Sequence, residues 1–414
     1  MLTIKRREFL ATSTLATAGI LTLGGRALLA QETAAAAPTP PPAPKLKLAI
    51  VGCGQRGVWL GGLALRHGGY EIHAVADYFP DRAKKAASRL KVPAERTFSG
   101  LSGFKRLLET KPDAIAIEVS PWFHSPMAVE AVNAGIHVFL AKPIAVDVPG
   151  TLAIEAAAKL ATEKKQCFLV DFQTRTNPFY QEAIRRASTG AMGDIIFGEG
   201  IYHENGPHLG VHAMSKPEDR MRYWCNDYAL SGDIILENNI HTLDVMSWSF
   251  GDKPPLQAFG TRGRKWRRHD SGDTNDHYTL HYQYPGGASV TFSSRQFQGH
   301  GTTPDGIGFR LFGTKGVMET KYSGTVLIRG DKEVFYRGGK TSNIYEEGVV
   351  VNLAAFHRAI TTGDFSNPTV APAVRSNLVG LLGRMAAQTG RVVTWDEVLR
   401  DTNRLDGRLE GLRD

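Results

Sequence analysis

Short apolar runs alternate with stretches of helical spacing through the first half of the chain. Residues 46–51, the segment EIHAVAD ending at Asp77, and residues 113–119, 137–142 and 167–173 read as strands, with helices near 80–90 and 101–110 between them. Strands that are apolar at nearly every position are covered on both faces, and their alternation with helices is the pattern of a parallel sheet. The pattern therefore predicts a doubly wound α/β domain over residues 45–173. From Asp194 to about Tyr336 the rhythm changes to DIIFGEGIYHE, LQAFGTRG, DHYTLHYQYP, ASVTFSSRQF, GFRLFGT, VMETKY, TVLIRG and KEVFYR, separated by turn residues such as Pro285-Gly286-Gly287. Tyr278, Leu280, Tyr282 and Tyr284 alternate with His277, Thr279, His281 and Gln283, as expected of a sheet with two unlike faces. Residues 174–350 are thus expected to form an α+β domain on an open-faced, mostly antiparallel sheet, followed by a helical segment over 351–414.

The amino terminus has a different character. KRREFL at 5–10 precedes an apolar stretch from Leu10 to Leu23 that is short for a membrane span, and RALLAQ offers Ala30 as a cleavage residue. Residues 1–30 read as an export signal, and Arg6-Arg7 followed by Glu8, Phe9 and Leu10 resembles the twin-arginine type, which carries folded proteins to the periplasm. QETAAAAPTPPPAP follows as an Ala/Pro-rich linker over 31–44.

Composition narrows the functional classes. The chain has 414 residues, 42% hydrophobic and 22% charged, which is the balance of a globular protein with room for two or three domains. The formal charge of +8 falls to +5 without the first thirty residues, and the basic residues are scattered, so a nucleic-acid partner is not expected. The run Arg262, Arg264, Lys265, Arg267 and Arg268 reads as a solvated loop or an anion contact. Three cysteines without CxxC spacing support neither a disulfide framework nor a cysteine metal site. His203, Glu204, His208 and His212 cluster in sequence, but Gly206, Pro207 and Gly210 break the helix that a metal pair would need, and no metal is expected.

The strongest chemical signal lies at the first strand-to-helix turn. Gly52, Gly54 and Gly57 have GxGxxG spacing, with Gln55 and Arg56 between them at the helix start, and Asp77 ends the next strand twenty residues later. Such glycines allow the tight turn, the approach of a pyrophosphate and close helix packing, and the acid accepts from an adenosine ribose. NAD is favoured over NADP, which Arg82 leaves open. In a doubly wound sheet ligands sit beyond the carboxyl ends of the strands, which nominates Ser120, Pro121, His124, Lys142 and Gln173 as cofactor contacts.

VSPWFH at 119–124, GIHVFLAKP at 135–143, SGDIILENNIHTLDVMSW at 231–248 and LLGRMAAQTGRVVTWDEVL at 381–399 complete a resemblance to the Gfo/Idh/MocA oxidoreductases over nearly all of the chain beyond the linker. The resemblance implies a Rossmann domain, a second domain whose open sheet face meets substrate or another subunit, a homo-oligomer, and a carboxyl-terminal segment returning to the first domain. It also marks two departures. Ala141 stands where the family's Glu-Lys-Pro has a glutamate that often contacts the nicotinamide ribose, and Glu237 replaces the usual aspartate four residues before the histidine.

Hydride removal from an alcohol needs a base with a pKa pulled toward neutrality. Lys142, at a strand end beside a nicotinamide, suits that role, and Glu237 with His241, spaced i, i+4 on a helix expected from about Leu236 to Phe250, would address one substrate together. Arg175, Tyr202 and His203, with Glu204, are placed to recognise sugar hydroxyls. The expected activity is NAD(P)-dependent oxidation of a secondary alcohol in a sugar, polyol or sugar derivative, with tightly bound cofactor because free NAD is scarce outside the cytoplasm. An NAD-dependent glycoside hydrolase working by transient oxidation, elimination and re-reduction is the alternative, since some relatives in the superfamily act in that way.

Overall fold

The apolar run at 46–51 is β1 (Leu46–Val51), the middle of a parallel sheet, and its Leu48, Ala49 and Ile50 have no exposed surface. Around it, in a computed structural model that describes residues 45–414, lie β2 (Tyr70–Asp77), β3 (Thr97–Ser99), β4 (Ala114–Ile117), β5 (His137–Ala141) and β6 (Phe168–Asp171). Their order is β3-β2-β1-β4-β5-β6, all parallel. This is the doubly wound order, in which the order of winding reverses between β1 and β4, where the crevice for a ligand opens. The expected signal and linker lie outside the described residues.

The second sheet has nine strands: β7 (Ile195–Glu204), β8 (Gln257–Gly263), β9 (His277–Gln283), β10 (Ser289–Gln296), β11 (Gly306–Gly313), β12 (Gly316–Lys321), β13 (Thr325–Gly330), β14 (Tyr336–Lys340) and β15 (Val393–Thr394). The order β14-β13-β12-β11-β7-β10-β9-β8-β15 is antiparallel except where β7 and β10 run side by side. Alternation works as the sequence suggests: Tyr278, Leu280 and Tyr282 of β9 are buried, while Thr279 points to the open face. The buried face packs on helices Ile240–Ser249 and Val370–Thr389, and helix Ile344–Thr362 lies against Gln55–His67 of the parallel layer.

Several local expectations change. KEVFYR is mostly turn, and the strand begins only at Tyr336, because Val334 and Phe335 bond back to Asp331 in a tight turn. β3 and β15 are three and two residues long, too short for periodicity to reveal. The helix expected from Leu236 to Phe250 is two helices, Ile234–Glu237 and Ile240–Ser249, since Asn238 and Asn239 both return their N–H groups to Ile234.

The core of the large sheet is closely packed. Phe292 is 1% exposed, and a Cβ built at Gly200 of the neighbouring strand would lie 3.0 Å from its ring. Phe292→Ala is expected to lower the unfolding free energy by about 3–5 kcal/mol in a denaturant titration, through lost burial and the cavity left behind.

Candidate active site

The turn after β1 has the geometry of a dinucleotide site. Gly52 has φ of +93°, a left-handed conformation that favours glycine, and a Cβ on Gly57 would lie 1.9 Å from the Gly52 carbonyl oxygen. At Gly54 the same test meets nothing within 4 Å, so that peptide faces open space where a pyrophosphate can approach. Asp77 receives the Cys53 N–H at 2.7 Å and the Phe79 N–H at 2.8 Å, which fixes its carboxylate at the rim, and burial raises its pKa. Gly52, Gly54, Asp77 and Ser120 line one cleft, where the buried Ser120 hydroxyl has no partner among the described residues. Gln55 is exposed at the helix start, and Pro121 is buried behind Ser120. The fit to NAD is therefore good: a phosphate turn with free approach, a ribose carboxylate and an orphaned hydroxyl.

Three of the residues expected to meet the cofactor, Arg56, His124 and Gln173, have other work. The Arg56 guanidinium turns inward, donating from Nε to Glu118 at 2.9 Å, from Nη2 to Asp171 and from Nη1 to the Tyr345 hydroxyl at 2.5 Å. Its charge is locked on by these two carboxylates, both without side-chain exposure. His124 is enclosed between the carbonyls of Pro143 at 2.7 Å and Val119 at 3.0 Å, and burial pushes its pKa down to about 4, so as a neutral ring it donates its single N–H to one of the two. Gln173 is also internal, donating to the Asp171 carboxylate at 3.0 Å.

The Arg56 network explains Ala141. Strand register sets Ile117 opposite Leu140 and Ala141 opposite Asp171, so Glu118, Ala141 and Asp171 lie side by side on three strand ends. A guanidinium bridging the outer two needs a small residue between them. The carboxylates are thus present on the flanking strands, where sequence spacing gave no hint of them.

Lys142 follows at once. Its side chain is half-buried, and Nζ donates to the Glu237 backbone carbonyl at 2.8 Å, tying the end of β5 to the break between the two helices of the second domain. Burial lowers its pKa, opposed by the Glu237 carboxylate and assisted by the Arg56 charge. His241 is 7% exposed and kept neutral by burial and by the charges of Lys142 and Arg56, and its Nδ1 has no partner among the described residues. Phe172 and Tyr322 flank the imidazole, with ring centroids 6.5 and 5.4 Å away. Although the helix is broken between them, Glu237 and His241 both reach the surroundings of Lys142.

The hydroxyl-recognition candidates divide. Tyr202 is buried on the inner face, near Asn238 and Glu204, and Glu204 takes a hydrogen bond from Gln296 at 3.2 Å. Burial, then the nearby Glu237, raises the Glu204 pKa. His203, one residue along β7, faces the opposite side of the sheet and contacts Ser293 and the Pro304 carbonyl, so it is not part of this site. Arg175 is likewise a structural residue: its donors go to Asp244 and Asp252 at 2.7–3.3 Å, and its guanidinium stacks over Trp248. Arg267 is buried rather than solvated and donates to Asn226 and Gln296, which carries its charge toward Glu204. Glu118, Asp171, Gln296, Asn238 and Tyr322 are site residues that motif spacing could not find, because each comes from a different strand or turn.

Asp244 has no side-chain exposure, so removing its arginine strands a buried charge. Arg175→Met is expected to cost roughly 3–5 kcal/mol of stability in chemical denaturation, while KM for substrate, measured on the folded fraction, changes less than about twofold (~0.4 kcal/mol).

Comparison with known proteins agrees with this geometry. Residues 46–172 match the model for an oxidoreductase family with an NAD-binding Rossmann fold, and residues 180–319 match that of the GFO/IDH/MocA C-terminal domain. A glycosyl hydrolase family 109 protein of Bacteroides fragilis is 29% identical over 170 residues, 39% of this chain and 38% of the relative. An inositol 2-dehydrogenase of Corynebacterium glutamicum is 27% identical over 210 residues, 50% of this chain and 55% of the relative, so the matches span less than two thirds of either protein. Among solved structures, levoglucosan dehydrogenase with NADH and L-sorbose superposes with a TM-score of 0.69 at 17% identity, covering 86% of this chain and all of that one. Aldose-aldose oxidoreductase from Caulobacter crescentus gives 0.64 at 19%, covering 84% and 99%, and both likenesses speak for the fold. The two family matches run almost end to end from β1 to β12, and the chain belongs to the Gfo/Idh/MocA oxidoreductase family, with an NAD-binding Rossmann domain.

Proposed function

We propose that the chain is an NAD(P)-dependent oxidoreductase acting on a secondary alcohol of a sugar, polyol or sugar derivative. The observation that carries the reading is Lys142, a half-buried amine with a depressed pKa at the strand end beside the dinucleotide cleft, near a neutral His241 whose Nδ1 has no partner among the described residues. When bound, NAD supplies a hydride acceptor. Lys142 as the free amine takes the hydroxyl proton, and His241, uncharged, hydrogen-bonds the oxygen or its neighbour without adding positive charge. Glu237 and Glu204 accept from other substrate hydroxyls and offset the ammonium that forms. Asp77, Gly54 and Ser120 hold the cofactor.

The Glu204–Glu237 pair favours a second reading. Burial and the nearby Glu237 raise the Glu204 pKa, which favours the protonated form that can donate to a departing glycosidic oxygen, as a redox-neutral glycosidase would require, and several relatives carry the glycosyl hydrolase family 109 name. Aryl glycosides separate the two: release of aglycone without net cofactor reduction supports the glycosidase. The KRREFL segment supports export in the folded state through the twin-arginine machinery, and the open face of the large sheet supports pairing of subunits.

Lys142→Met is expected to lower kcat by about 10²–10⁴-fold. In the unmodified protein the free amine is gained as pH rises through the depressed pKa, so kcat/KM for alcohol oxidation climbs along a limb lying below the ordinary lysine value of about 10.4. Between those two values the unfolded chain holds a proton that the folded one has lost, so stability also rises with pH there. A kcat/KM limb that stays in place in Lys142→Met would remove Lys142 from the role of base.

A further inference from the structure

The adenosine end of the cleft is walled from two directions. Asp77, Tyr78 and Leu101 belong to the Rossmann layer, whereas Met221 and Trp224 come from helix Pro217–Arg222 and the turn after it. Residues 400–414, which form no regular helix or strand, fasten the two walls together. The Tyr78 hydroxyl donates to Glu218 at 3.1 Å and accepts from the Arg413 N–H at 3.1 Å, and Arg413 Nε donates to the same Glu218 oxygen at 3.0 Å. The Arg413 carbonyl takes the Leu101 N–H at 3.1 Å, and the main chain of Asp414 is pressed so close to Gly100 that a Cβ there would lie 2.5 Å from it.

Farther back the same segment is held from both sides. Trp122 Nε1 donates to the Leu405 carbonyl at 2.7 Å, and the Leu405 N–H donates to Asp147 at 3.0 Å, both on the Rossmann side. Arg220, on the opposite wall, donates to the carbonyls of Arg408 at 2.7 Å and Gly407 at 3.0 Å. An irregular segment whose main-chain groups are satisfied by side chains of two walls has a defined path, and moving either wall breaks bonds to it.

We propose that Tyr78, Glu218 and residues 405–414 are positioning residues of the dinucleotide site, fixing the outer wall of the adenosine pocket so that NAD, once bound, stays through many turnovers. The proposal rests on the reading of the cleft as the NAD site. Cofactor exchange requires the Met221–Trp224 wall to part from Tyr78 and Leu101, and the latch opposes that separation. A cofactor that does not leave obliges the site to return each hydride before the next is taken.

The test is the release rate of NAD from the purified full chain. Protein loaded with isotopically labelled NAD is mixed with excess unlabelled NAD, and the label remaining bound is followed with time. Release from the unaltered protein should be slower than turnover, at least tenfold faster in Glu218→Ala and in a chain stopped after Arg404, and restored nearly to the original rate in Glu218→Gln, which keeps an acceptor for Tyr78. Because the truncated chain can fail to fold, the Glu218 pair decides the matter. Release rates that agree within twofold across the unaltered protein and both Glu218 variants, or exchange faster than turnover in the unaltered protein, overturn the proposal while leaving the cofactor reading intact. Failure of all these proteins to bind NAD overturns both.

Discussion

A positive charge taken out of water at Lys142 is the constraint around which the two sheets are arranged. An ammonium in that position needs an acceptor and a compensating field, and both come from outside its own strand. The acceptor is the Glu237 carbonyl, at the break between two helices of the second domain. The field comes from the carboxylates of Glu237, Glu204 and Asp171, against the repulsion of Arg56. Desolvation between the two domains sets the strength of the base, and the bond to the Glu237 carbonyl joins the domains at the same amine.

The same reasoning connects the departures from the family pattern. With Ala141 between Glu118 and Asp171, Arg56 can bridge both strand ends, and its one positive charge is shared between the two carboxylates. Glu118 keeps one oxygen without a partner and lines the cofactor cleft, so the carboxylate missing at position 141 has a neighbour at the next strand end. Glu237 in place of aspartate is compatible with its double part: the main-chain carbonyl serves Lys142, and the longer side chain reaches toward His208, 3.9 Å away, at the open side of the site.

Periodicity made the sheets legible because burial leaves a mark on every residue of a strand. β1, β2, β4, β5 and β6 sit where the apolar runs are, and the alternating tyrosines of β9 face inward. The glycine turn and Asp77 were legible because a local backbone requirement dictates their spacing. What sequence could not convey was direction. Arg175 and Arg56 have the residue type of a ligand contact, yet each is consumed by carboxylates distant in sequence: Asp244 and Asp252 for one, Glu118 and Asp171 for the other. His203 lies a single step away in a two-residue period, on the other face of β7. The break at Asn238 and Asn239 was hidden because an i, i+4 pair looks the same whether or not the helix between is continuous.

The central claim is that Lys142 and His241 work on a carbohydrate hydroxyl beside a bound nicotinamide. The most direct measurement is the absorbance of reduced nicotinamide in NAD-loaded protein after rapid mixing with single sugars, polyols and aryl glycosides. The account predicts that at least one of them drives a rapid absorbance change in the unaltered protein that Lys142→Met loses while still binding NAD. Bound NAD whose absorbance no carbohydrate alters, with no product formed from any of them, would contradict it.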